Sequence, residues 1–213
     1  MVSFCDLSLS ELRNHMDKYG DYGIGLSNTW ATKMGLNPVF YVNKDSNFAN
    51  DLISGINRVT QFLMASASDP DLKFAYIDAI NAYRFIKNYE GELARENEVS
   101  RKHYRFADER EWRYVPSLSE NIPPFVQLNQ IDSNEKKKQL NTSLRDLRLS
   151  FQPSDIQYLI VSTDEEKIAL MDHLESDNSK YSEPIRRHLS SRILSADQLN
   201  VTLPETKTMF SMG

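Results

Sequence analysis

Cysteine is nearly missing from this chain. Cys5 is the single example in 213 residues, so no disulfide can close within the chain and a thiolate-rich metal site is excluded. Histidine is scarce as well: His15, His103, His173 and His188 are scattered with no pair at ligand spacing, so no metal site is expected. No stretch approaches the roughly 18 apolar residues of a membrane-spanning helix. The opening Met-Val-Ser-Phe-Cys-Asp has neither the basic region nor the apolar run of a signal peptide. The expectation is a soluble, cytoplasmic protein with no membrane partner. A basic surplus is also missing. The net charge of −5 argues against a dedicated duplex-DNA binder, whose cations must displace counterions from phosphates. Walker loop, nucleophile-elbow serine and Cys/His nucleophile arrangements are all absent.

What is present is ordinary globular material, 40% hydrophobic and 26% charged, with enough large side chains (10 Phe, 10 Tyr, 2 Trp) for a core without staples. Val2 to Asp6 reads as a strand. Ser8-Leu9-Ser10-Glu11 fits a capping box opening a helix that stops at Gly20. Gly20-Asp21-Tyr22-Gly23-Ile24-Gly25 reads as turn glycines before a strand, because a dinucleotide fingerprint has a different spacing and precedes a helix. Ser27 can cap a short helix carrying Trp30, and Pro38 to Val42 reads as a strand. Leu52, Ile56, Val59 and Leu63 form one helical stripe; Leu72, Tyr76, Ile80, Tyr83 and Ile86 form another.

His103 to Phe106 and Glu111 to Val115 look like paired strands. Residues 116–141, with three prolines and the run Glu135-Lys136-Lys137-Lys138, predict a long surface loop. Ile156 to Val161 is the clearest strand, followed by a helix capped at Thr163 and running to about Leu174. Pro184 to Leu189 reads as helix, Arg192 to Leu194 as a last strand, and residues 204–213 as a disordered tail. With no βαβ rhythm, the pattern predicts a single α+β domain over residues 1–203, a central mixed or antiparallel sheet with helices packed on it.

One segment could carry chemistry: Phe106-Ala107-Asp108-Glu109-Arg110-Glu111-Trp112-Arg113-Tyr114-Val115. In extended chain, residues two apart point the same way. Trp112 and Tyr114 would then face the core, leaving Glu109, Glu111 and Arg113 side by side toward a cleft or water. Two nearby carboxylates repel, which tends to raise one pKa. Such a pair can take a proton from a nucleophile and stabilise a cationic sugar transition state. The same spacing also fits an edge strand with ordinary ion pairs. The preceding Arg101-Lys102-His103-Tyr104-Arg105 is either a solvated turn or a phosphate contact, and Cys5 reads as a small core residue.

Three blocks together resemble a known family. Val2-Ser3-Phe4-Cys5-Asp6-Leu7-Ser8 with Lys18-Tyr19-Gly20-Asp21-Tyr22-Gly23-Ile24-Gly25-Leu26-Ser27, then Asn37-Pro38-Val39-Phe40-Tyr41-Val42, then Glu111-Trp112-Arg113 are similar to the AbiGi-type abortive-infection (phage-defence) proteins. The family's pattern in turn resembles the ADP-ribosyltransferase-like folds of the DarT group. That resemblance implies an ADP-ribosyltransferase-like core using NAD as co-substrate to modify a nucleic acid or protein acceptor. Glu111 would hold the nicotinamide ribose and Glu109 would align the acceptor. Phe4, Asp6 and Arg113 would belong to the cofactor-binding set. The family pattern places a Phe-His-Phe-Thr-like strand ahead of the Ser-Phe-Cys-Asp block, and the NAD reading expects that strand upstream of Met1. The alternative the resemblance implies is a non-enzymatic antitoxin or interaction module with a toxin partner.

Overall fold

The computed structural model describes residues 1–65, 70–94, 100–116, 126, 128–176 and 179–200. Strand β1 (Val2–Cys5) leads into helix α1 (Leu9–Tyr19), whose two ends are written in its own sequence. The Ser8 amide donates to Glu11 Oε2 at 3.0 Å, which is the expected capping box. At the other end Gly20 adopts φ 92° and ψ 173°, a region essentially closed to residues with a Cβ. Strand β2 (Gly23–Leu26) follows, then α2 (Asn28–Lys33), where the Trp30 amide donates to Ser27 Oγ at 3.2 Å. Gly20 is therefore a turn glycine, whereas Gly23 and Gly25 lie within a strand.

The expected strand from Pro38 to Val42 is split into β3 (Asn37–Pro38) and β4 (Phe40–Val42). Helices α3 (Asn47–Ala65) and α4 (Pro70–Tyr83) come next. On α3, Leu52, Ile56 and Val59 are half-buried as their spacing requires. On α4, Ile80 is fully buried. Ile86 does not continue the α4 face. The Arg84 and Phe85 amides turn back onto the carbonyls of Ile80 and Ala82, and Ile86 opens strand β5 (Ile86–Asn88).

Strands β6 (Glu90–Leu93), β7 (Arg101–Arg105) and β8 (Glu111–Tyr114) complete this stretch. The 103–106 and 111–115 segments are not paired with each other. Strand β7 pairs with β6, and β8 pairs with β1 and β3, because a 3-10 turn over Phe106–Glu109 and a left-handed Arg110 (φ 44°) redirect the chain between them. Part of the predicted long loop is also helical. Helix α5 (Asn134–Ser143) carries the lysine run and is capped by Ser133, whose hydroxyl accepts from the Lys136 amide. Residues 117–125 and 127 of that loop lie outside the described residues, as does the 204–213 tail. The last elements are β9 (Ile156–Val161), α6 (Asp164–Glu175), α7 (Glu183–Ser190), β10 (Ile193–Ser195) and α8 (Ala196–Asn200).

The chain divides into two compact units, residues 1–6 with 31–150 and residues 7–30 with 151–213. In the second, β9 is the middle strand of the order β10-β9-β2, parallel to β10 and antiparallel to β2. Ile156, Leu174, Leu189 and Ile193 form its main core, where an apolar strand face meets one side of each helix. In the first, the described strands make an antiparallel sheet β1-β8-β3, a parallel pair β4-β5 and an antiparallel pair β6-β7. The architecture is α+β as expected, but with several small sheets where one central sheet was predicted. The break at Val39 hands the chain from β8 to β5, and the turn at 106–110 hands it from β6 to β1 and β3, so consecutive strands join different sheets.

Candidate functional site

Strand β8 is the middle strand of its sheet, and its burial runs opposite to expectation. Glu111 and Arg113 are the buried side chains, whereas Trp112 and Tyr114 are half-buried on the other face. Antiparallel pairing sets Ser3 opposite Arg113 and Cys5 opposite Glu111, so these β1 residues share the charged face. Phe4 stands opposite Trp112, on the far face from Glu111. Asp6 lies just past β1, exposed, its amide donating to the Arg110 carbonyl at 3.1 Å. Of the predicted site residues, the fold therefore gathers Glu109, Glu111 and Arg113, and leaves Phe4 and Asp6 outside the cluster.

Glu109 reaches the cluster from the 3-10 turn, not from the strand. Without the left-handed Arg110 between them, the two carboxylates would follow simple strand alternation. With it, both meet one cation that sequence reading passed over. Lys87 Nζ, carried by β5, lies 2.7 Å from Glu109 Oε2 and 2.5 Å from Glu111 Oε2. Glu111 Oε1 accepts from Arg113 Nε at 2.6 Å and from Ser3 Oγ at 2.7 Å. Glu109 Oε1 accepts from the Tyr104 hydroxyl at 2.9 Å. Each of the four carboxylate oxygens thus accepts at least one bond within the chain.

The outer partners hold the cations in place. Arg113 Nη1 donates to the carbonyls of Arg84 (2.7 Å) and Ile86 (3.2 Å). Tyr41 is the register partner of Lys87 and accepts the Glu111 amide on its hydroxyl at 2.8 Å. The ammonium of Lys87 also sits 5.0 Å from the centroid of Phe106, whose ring meets Tyr104 edge-on. Lys87, Tyr41 and Ser3 lacked a legible signal because they come from three separate segments that only the sheets bring together. Tyr104 is the buried residue of its basic stretch, and Arg101, Lys102, His103 and Arg105 are exposed around it.

Two carboxylates and two cations make the cluster neutral, which is what permits its burial. The expected rise of a carboxyl pKa by mutual repulsion is not seen at Glu111. Burial pushes its carboxyl up, but hydrogen bonds from Arg113, Lys87 and Ser3 outweigh that and hold it below its ordinary value. Burial likewise pushes the Lys87 ammonium down, while its bonds to Glu109 and Glu111 carry it above its ordinary value. Burial pushes the Cys5 thiol up, with Glu109 and Asp6 adding to the effect, so this residue stays a thiol near neutrality.

The sign of the pH dependence follows. A carboxyl held below its ordinary 4.5 stabilises the fold above that value and loses its contribution as pH falls through the lowered one. A lysine raised above 10.5 stabilises the fold below 10.5 and loses its contribution as pH rises through the raised value. We expect the urea midpoint of Glu111→Gln to lie well below that of the wild type at neutral pH, and the gap to narrow as pH drops below 4.5. A gap that stays constant into acid would mean the Glu111 charge contributes nothing to stability.

The class this defines is an α+β protein whose acidic-Trp-Arg strand is locked into a buried, neutral ion-pair network. A family model described as abortive phage resistance protein AbiGi, antitoxin, matches residues 1–162, and the chain belongs to that family of abortive phage resistance proteins. It is similar to abortive phage resistance protein AbiGi of Lactococcus lactis subsp. cremoris, 27% identical over an alignment of 177 residues that covers 76% of this chain and 71% of the relative. No solved structure matches the chain. Among the described residues, no helix is long and apolar enough to cross a membrane.

Proposed function

We propose that this protein acts as the antitoxin of an abortive-infection system, neutralising a protein toxin in the cytoplasm by binding and not by consuming NAD. The observation that carries this reading is the occupancy of the Glu-x-Glu carboxylates, whose four oxygens are all bound by Ser3, Lys87, Tyr104 and Arg113. A carboxylate that stabilises a cationic ribose must offer an oxygen to the sugar at the moment charge develops. Here Lys87, Arg113 and Ser3 already hold both oxygens of Glu111, so a sugar hydroxyl would compete with charge-assisted bonds made inside the chain. The family description as an antitoxin supports the same reading.

The test is co-expression with the toxin of the system, together with nicotinamide release from NAD by the purified protein. The expected result is relief of growth arrest, a complex that copurifies, and no NAD cleavage with RNA, DNA or protein offered as acceptor. Nicotinamide release that vanishes in Glu111→Gln would overturn the proposal in favour of NAD-dependent ADP-ribosyl transfer, with Glu111 on the ribose and Glu109 aligning the acceptor.

A further inference from the structure

Helix α3 buries one stripe and leaves a second line of residues uncovered. At about 100° per residue, Phe48, Asp51, Gly55, Arg58 and Phe62 fall within an arc of roughly 80° on one side of it. Phe48 is 51% exposed and Phe62 64% exposed, and Asp51, Gly55 and Arg58 are exposed between them. Large aromatic rings left in water at both ends of one helix face mark a contact surface. The ring of Phe48 is already held edge-on by Phe40 at 5.7 Å, so fixing it on association sacrifices little rotamer freedom. At the centre, a Cβ built on Gly55 meets nothing within 4 Å, which leaves a notch where another backbone can approach.

The order of these residues is symmetric about Gly55. Phe48 lies seven positions before it and Phe62 seven positions after it. Asp51 and Arg58 are the only charged residues of α3, carry opposite signs, and lie four before and three after. We propose that this face of α3 is a two-fold, antiparallel interface with a second copy of the same chain. Turned end for end about Gly55, the partner's Phe62 stands level with Phe48. Its Arg58 stands within one residue's rise, about 1.5 Å, of Asp51. Both contacts then occur twice, as a two-fold axis demands. A parallel pairing in the same register would set Asp51 against Asp51 and Arg58 against Arg58, so charge alone selects the antiparallel one. Neither residue has an ion-pair partner among the described residues of its own chain.

This inference stands apart from the antitoxin reading, and its test reads mass, not protection. Sedimentation equilibrium of the full chain is expected to show a dimer within the range of specific complexes, about nanomolar to millimolar. Asp51→Arg and Arg58→Asp alone should each weaken association about tenfold or more, since each sets like charges opposite one another at two places. Mixing the two single variants should restore the dimer, because each supplies the charge the other lacks, and the double reversal should restore it too. Both positions are exposed, so circular dichroism should show each variant folded. Four outcomes would overturn the proposal. These are a wild type that stays monomeric, a dimer indifferent to both reversals, weakening that neither mixing nor the double reversal repairs, and a monomer that occupies this face with a toxin instead.

Discussion

Lys87→Met is expected to lower the unfolding free energy by about 3–5 kcal/mol, the usual cost of removing one partner from a buried ion pair. Methionine keeps the length and flexibility of the lysine stem, so packing beside Phe106 changes little and the loss is mainly electrostatic. What remains is two buried carboxylates that lose the cation between them, with only Arg113 left to offset them both. The variant should respond by raising one carboxyl pKa, so its deficit against the wild type should shrink as pH falls and that group takes a proton. Urea melts across acid and neutral pH measure both effects. A loss under about 1 kcal/mol would place Lys87 among ordinary surface pairs and remove the case for a structural lock.

Glu111→Gln should cost nearly as much, and for the mirrored reason. The amide can still accept from Arg113 and Ser3, but its NH₂ then faces the Lys87 ammonium, donor against donor. The cluster is left with one uncompensated positive charge. The double variant Lys87→Met/Glu111→Gln restores balance between Glu109 and Arg113, so its cost should fall short of the two single costs added together by about 1–3 kcal/mol. Additive losses would show that the network does not act as a unit. Under the antitoxin proposal, protection by Glu111→Gln should track its folded fraction and nothing else. Lost protection at a temperature where the variant is fully folded would count against a pure binding role.

Much of the secondary structure was legible because its causes are local. The Ser8–Glu11 box, the Gly20 stop, the Ser27 and Thr163 caps and the apolar run Ile156–Val161 all act within a few residues of chain. The strand pairing around residue 110 was not legible, since a 3-10 turn and one left-handed residue decided it. Helix α5 was hidden by lysines and a cap at Ser133 inside what looked like loop composition.

By itself the sequence determined the α+β class, most helix ends, the exclusion of a disulfide within the chain and of a thiolate-rich metal site, and the acidic-Trp-Arg strand that resembles the AbiGi-type proteins. Tertiary structure alone decided which face of that strand is buried. Alternation along a strand says which residues share a face, but not which face is buried. The usual rule would bury Trp112 and Tyr114. Lys87 from β5, Ser3 from β1 and Tyr104 from β7 reversed it, because together with Arg113 they supply enough partners for Glu109 and Glu111 to leave water. A buried charge is tolerable only where its counter-charge and hydrogen bonds are already in place, and here those come from segments distant in sequence.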